Sequence, residues 1–267
     1  MDWMFQKNED RSSDGWEDGA LKNFKGNPLR NLARETIQNS LDAPRAKDVS
    51  MIEVHFCSHQ IPTDEMPGLE KFKNTLTACL KSEFYTENKR ADIVEARRLL
   101  AGKRLKVLSI KEQGTLGMEG PCDPGKPFYK YMKAVSQSSK DKDARGSHGQ
   151  GKAAPILNSQ FYTVFASTVF MQDGEEKSLV MGRATLSSHY DSIDPGLIRK
   201  NVGYWGENFE PIPYNESMPA WLKRDSAGTD IQILGFRSQK DWKLVLCAAV
   251  AQNFFTAVDK GQLRVFV

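Results

Sequence analysis

Cysteine is scarce in this sequence, and its placement excludes a zinc-binding or disulfide framework. The 267 residues contain four cysteines, Cys57, Cys79, Cys122 and Cys247, and no two of them stand at the C-x-x-C spacing of metal and redox motifs. Such isolated thiols suit a reducing compartment. The sequence therefore predicts a cytoplasmic protein that is not held together by disulfides.

Long apolar segments are missing as well. Residues 1–19 are acidic and polar, which excludes the apolar core of a signal peptide. The most apolar stretch, residues 244–258, is interrupted by Gln252 and Asn253 and is too short to cross a bilayer. We therefore expect no membrane partner.

A strong charge of one sign is also absent. The formal net charge of +3 is close to neutral for this length, which argues against a protein whose main role is to coat nucleic acid or anionic lipid. Hydrophobic residues make up 39% and charged residues 27%, values that indicate a folded domain and exclude extended disorder. The length allows one large domain with a sizeable core.

Hydrophobic periodicity predicts helices and strands that do not alternate regularly. Helices are predicted over 28–43, 69–84, 91–101, 152–159 and from a capping Ser238 to 258, and strands over 51–57, 104–110, 161–170, 178–186, 228–236 and 262–267. This mixture favours an α/β sandwich over a doubly wound sheet.

The domain organisation is predicted from the same pattern. We expect residues 1–24 to be loosely ordered and a single domain to cover 25–267, with an irregular insertion at about 187–226 where Pro, Gly, Tyr and Trp are frequent. Because the chain ends on a predicted strand, we expect it to be the N-terminal part of a longer protein.

A glycine-rich stretch, RGSHGQGKAAP at 145–155, suggests a phosphate site. Gly146 to Lys152 fits the G-x-x-x-x-G-K pattern of a P-loop, but Ala153 stands where that motif requires a hydroxyl for magnesium. The preceding residues, SQSSKDKDAR, do not resemble the buried strand that leads into a P-loop. A P-loop-type nucleotide hydrolase and a glycine turn without a ligand are both open on this local pattern.

The segment ARETIQNSLDA at 33–43 carries three polar side chains on one face of a predicted helix. Glu35, Asn39 and Asp42 stand at i, i+4 and i+7, and their apolar neighbours would let this face turn into a cleft. An Asn oxygen is a suitable magnesium ligand, and a Glu one turn away can orient or deprotonate a water. The pattern therefore indicates nucleotide hydrolysis.

Four short segments together resemble the GHKL ATPases, the superfamily of gyrase, heat-shock chaperones, histidine kinases and MutL. The segment Glu35-x-x-x-Asn39-x-x-Asp42-Ala43 resembles the N-box. EQGTLGM at 112–118 resembles the D-x-G-x-G adenine box, GSHGQGK at 146–152 resembles the G-x-x-G-x-G box of the ATP lid, and Ala227-Gly228-Thr229 resembles the last box, whose Thr supports the adenine-binding acid. The resemblance covers about residues 25 to 267.

The resemblance implies a fold, two cofactors and a set of site residues. The fold is a Bergerat-type two-layer α/β sandwich with a mixed sheet and helices on one face, and the cofactors are ATP and Mg²⁺. Glu35 would activate water and Asn39 would bind magnesium. Because the magnesium ligand would come from Asn39, no hydroxyl is needed at Ala153. The other nucleotide contacts implied are Asp42, Glu112, Gly114, Gly117, Met118, Gly146, Ser147, His148, Gly149, Gln150, Gly151, Lys152 and Thr229.

The adenine box departs from the family pattern at two positions. Glu112 stands where the family has Asp and is one methylene longer, so the purine would have to shift, and Leu116 is an extra residue between the glycines. Phosphate binding therefore follows from the residues more directly than adenine specificity does.

The function implied by the resemblance is magnesium-dependent ATP binding and slow hydrolysis in a nucleotide-gated clamp. Its partners would be a downstream protein effector and, in the ATP-bound state, a second copy of the chain. Within the superfamily, the segments ARETIQNSLDA and GSHGQGKAAP are most similar to those of bacterial ATPase domains of large proteins, some of which act in anti-phage defence. A nucleotide sensor that does not hydrolyse ATP is the alternative, against which Glu35 argues.

Overall fold

The computed structural model describes residues 1–9, 26–43, 49–84, 87–134 and 151–267. In these ranges the chain forms nine strands and six α-helices. The strands are β1 (Asp2–Lys7), β2 (Ile52–Pro62), β3 (Arg104–Gln113), β4 (Thr163–Gln172), β5 (Glu175–Thr185), β6 (His189–Tyr190), β7 (Ile198–Gly206), β8 (Gly228–Leu234) and β9 (Leu263–Phe266). The helices are α1 (Pro28–Asp42), α2 (Leu69–Lys81), α3 (Glu87–Leu100), α4 (Pro127–Met132), α5 (Ala153–Leu157) and α6 (Trp242–Asp259).

All the strands join one mixed sheet. Its order is β1-β7-β5-β4-β8-β3-β2-β9, and the short β6 pairs with β7. Neighbouring strands run antiparallel, except that β2 and β9 run parallel. A large mixed sheet with packed helices confirms the predicted α/β sandwich. No helix in the described ranges has the length and apolar character needed to cross a membrane.

The centre of the sheet is fully covered. Every residue of β8 and all but the last two residues of β4 are buried. The ring of Phe165 lies 5.5 Å from the ring of Trp205 and 5.8 Å from that of Trp221, measured between centroids. Aromatic side chains of this size bury large apolar areas, so these rings contribute strongly to the core.

Helix α1 begins with a proline and buries one apolar face. Pro28 lies in the first turn, where a missing amide proton costs no hydrogen bond. The helix ends at Asp42, because Ala43 is extended. Its buried apolar residues are Leu29, Leu32, Ala33 and Ile37. Contacts with β2, α5 and α6 fix α1 against the rest of the molecule.

Two segments predicted to lack regular structure contain strands. β1 lies in the N-terminal segment and pairs with β7, Trp3 opposite Trp205. β7 itself lies in the predicted insertion. Its apolar alternation is interrupted at Gly203, where a Cβ would collide with the ring of Phe5. The glycine that hides the strand pattern is thus required by the packing of β1 on β7.

The start of α6 also differs from the prediction. The residue at the N-cap is Asp241, three positions after the predicted Ser238, and it makes no side-chain capping bond. The Ser238 hydroxyl instead accepts a hydrogen bond from the Lys106 ammonium at 2.7 Å. The prediction of Ser238 as the cap is therefore wrong, while the helix itself is confirmed.

Candidate functional site

Glu35 is a buried carboxylate on α1 with a cation against it. Its side chain is 8% exposed, and the Arg34 guanidinium donates to Oε1 from Nε at 3.0 Å and from Nη2 at 2.8 Å. A Cβ added to Gly151 would lie 2.6 Å from Oε2 of Glu35. Because a buried charge requires a partner, the arginine accounts for the burial of this acid. The structure thus places Glu35 against Gly151, the last glycine of the predicted lid.

Asn39 and Asp42 lie further along α1 and are exposed. The Gln38 amide donates to Oδ1 of Asp42 at 2.9 Å. The side chains at i, i+4 and i+7 therefore differ in environment, since Glu35 is buried and the other two face outward. Asn39 is the one amide among these three side chains, and its exposure makes it accessible to a ligand.

Glu112 accepts a hydrogen bond on each of its carboxylate oxygens. Ser40, on α1, donates to Oε2 at 2.8 Å, and Thr115, three residues after Glu112, donates to Oε1 at 2.9 Å. Hydrogen bonds to an ionised acceptor are the stronger class of protein hydrogen bond. The two hydroxyls thus hold the carboxylate in one orientation and connect α1 to the end of β3.

The turn that follows β3 depends on its glycines. Gly114 and Gly117 have φ angles of +89° and +77°, in the left-handed region that favours glycine. The Met118 amide then donates to the hydroxyls of Thr168 at 2.9 Å and Thr229 at 3.1 Å. Thr229 therefore supports the main chain of this turn, and the role beside the Glu112 carboxylate falls to Thr115.

A buried ion pair lies beneath the same turn. Arg224 and Asp230 form a salt bridge with side-chain exposures of 6% and 4%. Arg224 also donates from Nη2 to the main-chain oxygens of Glu112 at 2.6 Å and Ala227 at 2.7 Å. Burial raises the pKa of Asp230, and the neighbouring Arg224 opposes that rise. This pair fixes the start of β8 against the end of β3.

The predicted lid is only partly within the described residues. Gly146, Ser147, His148, Gly149 and Gln150 lie outside them. Gly151 contacts Glu35, as given above. The Lys152 ammonium lies 3.4 Å from the main-chain oxygen of Lys130, at the end of α4. This contact links the residues that follow the lid to α4.

The residues present fit a magnesium ion that arrives with a nucleotide. In the described part of the chain, no three His, Cys, Asp or Glu side chains come close enough together to hold a metal. Magnesium commonly takes one or two protein oxygens, with phosphates and waters as the other ligands. The exposed amide of Asn39, one helical turn from Glu35, has the chemistry for such a ligand.

A cavity of about 400 Å³ lies elsewhere, between β1 and α2. Trp3, Lys71, Thr75, His189 and Arg199 are among the residues that line it. None of the residues predicted for nucleotide binding does so. This cavity therefore plays no part in the site built by α1 and β3.

Two comparisons, with protein-family models and with curated proteins, find no match for this chain. The functional argument therefore depends on the residues and their geometry.

Proposed function

We propose that this chain binds magnesium-ATP and hydrolyses it slowly, as a nucleotide-dependent switch of the GHKL type. The observation that carries the proposal is that α1 carries one acid of the predicted site and contacts a second. It buries Glu35 beside Gly151 and, five residues later, holds Glu112 through Ser40. Five residues of helix span about 7.5 Å, so one short segment of α1 determines the position of both acids.

Glu112 has the chemistry for recognising the base. The exocyclic amino group of adenine donates hydrogen bonds, and a carboxylate is an acceptor. Ser40 and Thr115 each use one of its oxygens but leave further lone pairs free to accept from a ligand. The Glu112 side chain, one methylene longer than that of Asp, reaches the Ser40 hydroxyl on α1.

Glu35 and Asn39 have the chemistry for the phosphate end. Asn39 would bind the magnesium ion, which supplies charge neutralisation for the phosphates when it is bound. Glu35 would hold the attacking water and accept its proton as the oxygen bonds to the terminal phosphorus. The bond to the leaving oxygen breaks in the same displacement, and ADP keeps the electron pair.

A nucleotide sensor without turnover is the second candidate, and a specific observation favours it. The Arg34 guanidinium lies on Oε1 of Glu35, so this carboxylate oxygen is engaged in an ion pair. While this pair persists, Oε1 is a weaker acceptor for a proton from water. Slow turnover is therefore expected.

Calorimetry and a phosphate-release assay on the native chain test the proposal. ATP should bind more tightly with magnesium than without it, and Glu35→Gln should keep this binding while turnover falls by about 10²-fold or more, the scale of general-base catalysis. Glu70→Gln, an exposed acid on α2, is the matched control and should behave like the native chain. Binding without any turnover in the native chain would support the sensor, and no binding of ATP would refute both candidates.

A further inference from the structure

The Arg34–Glu35 pair has an unusual geometry for residues adjacent on a helix. Side chains at i and i+1 point in directions about 100° apart and do not ordinarily face each other. Here the arginine folds back so that both Nε, at 3.0 Å, and Nη2, at 2.8 Å, donate to the single oxygen Oε1. The Arg34 side chain is 50% exposed while that of Glu35 is 8% exposed. The arginine thus covers the acid from the solvent side.

This pairing conflicts with the role proposed for Glu35. A general base must hydrogen-bond to the water that it deprotonates, at about 2.6–3.2 Å. Guanidinium is a permanent cation that only donates hydrogen bonds, so it competes with that water for Oε1. Catalysis through Oε1 therefore requires the guanidinium to move away. Because the guanidinium is a cation, another anion has to replace Glu35 as its partner.

The bound nucleotide would provide that anion within reach. A water on Glu35 that is also about 3–3.5 Å from the phosphorus puts the terminal phosphate within roughly 6 Å of Oε1. The guanidinium is already 2.8 Å from Oε1 and needs to move only a few ångströms. A phosphate carries more charge than a carboxylate and accepts the guanidinium fork in the same bidentate manner.

We propose that Arg34 exchanges Glu35 for the terminal phosphate when ATP binds, so that it frees the base and neutralises the phosphate in the same movement. The proposal rests on the ATPase function proposed above. In the step itself Glu35 takes the proton of the water, the water oxygen bonds to the phosphorus, and ADP leaves with the electron pair. Arg34 keeps all its protons and acts through its charge and the hydrogen bonds that it donates to the phosphate.

This assignment gives the chain a cation within its own active site. Lys152 is the other cation among the nucleotide contacts predicted from the sequence. Lys152 contacts the main chain of Lys130, whereas Arg34 lies directly on the proposed base. The geometry therefore favours Arg34 as the residue that completes the site.

The test measures the affinities for ATP and ADP and the rate of ATP hydrolysis in three variants, Arg34→Ala, Arg34→Lys and Arg30→Ala. Arg30 lies one turn earlier on α1, donates to Gln252 at 2.9 Å and serves as the matched control. For Arg34→Ala we expect unchanged ADP affinity, since ADP lacks the phosphate contacted. We expect ATP affinity to fall by less than about tenfold while single-turnover hydrolysis slows by about 10²-fold or more, because the contact strengthens in the transition state.

Two further readouts separate this role from a structural one. Guanidinium ions in solution, at concentrations too low to unfold the chain, should restore part of the Arg34→Ala rate, and Arg34→Lys should retain more activity than Arg34→Ala. Hydrolysis by Arg34→Ala that equals or exceeds the native rate would overturn the proposal, because Arg34 would then only mask Glu35. A loss that guanidinium does not restore, or a comparable loss in Lys152→Ala with Arg34→Ala unaffected, would also overturn it. A native chain that fails to bind ATP would instead refute the proposed function itself.

Discussion

At the scale of single residues, the hydroxyl of Ser40 connects the two halves of the proposed site. Its one proton is shared between two acceptors, the Glu112 carboxylate at 2.8 Å and the main-chain oxygen of Thr36 at 3.1 Å, and the residue is buried. Through this bond the position of α1 determines where the Glu112 carboxylate points. Ser40 thus acts on the base end of the site from the helix that carries Glu35.

Ser40→Ala should weaken ATP binding without unfolding the chain. The substitution removes one of the two described donors to the Glu112 carboxylate, and a hydrogen bond to a charged group is worth about 1.5–3 kcal/mol. We expect the dissociation constant for magnesium-ATP, measured by calorimetry, to rise by about tenfold or more.

Thr77→Ala is the matched control for this prediction. Thr77 lies on α2, and its hydroxyl bonds the main chain four residues back, as the Ser40 hydroxyl also does. The control should bind ATP like the native chain. Equal affinity in the Ser40→Ala variant would show that Glu112 is positioned without this bond.

Spacing along the sequence predicts some of these residues and misses others. Glu35 and Asn39 can be singled out from the sequence because a helical period places them one turn apart on α1, although the sequence does not indicate that only Glu35 is buried. Ser40 and Thr115 carry no such signal, since hydroxyl residues are common. Ser40 in addition meets Glu112 through tertiary packing, across 72 positions of sequence. Arg224 meets Glu112 across 112 positions of sequence, so no local pattern could have identified it.

At the scale of elements, the Arg224–Asp230 pair joins the end of β3 to the start of β8. Removing one member of a buried ion pair leaves the other charge without compensation and typically destabilises a protein by about 3–5 kcal/mol. Arg224→Ala should therefore lower the free energy of unfolding in urea by about that amount, and it should also weaken ATP binding because the main chain at Glu112 is released.

The adjacent ion pair provides the control for Arg224. Lys223 pairs with Asp225 at 3.2 Å on the exposed surface, where ion pairs contribute little. Lys223→Ala should leave the unfolding curve unchanged. If Arg224→Ala is equally harmless, the buried pair does not anchor β3 and β8.

The positions of helices and strands are predicted well where the hydrophobic residues follow a regular period. They are predicted poorly where the strand is specified by contacts with distant residues. The helix predicted over 28–43 is observed at Pro28–Asp42, and the strand predicted over 104–110 is observed at Arg104–Gln113. The strands β1 and β7 were missed because their pattern is carried by contacts such as Phe5 over Gly203. Glycine is common in turns, so Gly203 suggests a turn when only the sequence is considered, although it lies in a strand and makes room for the ring of Phe5.

The edge of the sheet near β6 should make stability depend on pH. His189 is buried, its Nδ1 lies 3.0 Å from the main-chain oxygen of Ser187, and burial lowers its pKa. Asp191 opposes this shift, whereas Arg199 and Lys71 add to it. The folded chain therefore takes up the proton at lower pH than the unfolded chain.

The direction of the effect follows from this difference. The contribution of His189 is complete above its ordinary pKa of about 6.5 and is lost as the pH falls toward the lower pKa of the folded state. The melting temperature should therefore fall between pH 7 and pH 5, and His189→Gln should make that fall shallower. Burial lowers the pKa of His59 as well, so His59→Gln is measured in parallel, and an unchanged slope in His189→Gln would contradict the assignment.

At the scale of the whole molecule, the proposed site is assembled from segments far apart in sequence. The helix α1, the end of β3, the turn to Met118 and the start of β8 converge through Ser40, Arg224 and Thr229. A ligand that contacts all of them stabilises the folded chain as a whole, because none of these contacts exists in the unfolded state. The free energy of unfolding of the whole chain should therefore rise as the ligand occupies the proposed site.

Magnesium-ATP should therefore raise the melting temperature of the native chain. At a free concentration of a hundred times the dissociation constant, a ligand that binds only the folded state contributes about 2.7 kcal/mol. For a chain of this size that amounts to roughly 5–10 °C. Asn39→Ala should lose the part of the shift that requires magnesium and keep the part that ATP gives alone, because the amide is proposed to bind the metal and not the base. Equal shifts with and without magnesium in the native chain would remove Asn39 from the metal site, while Glu35 and Glu112 would keep their proposed roles.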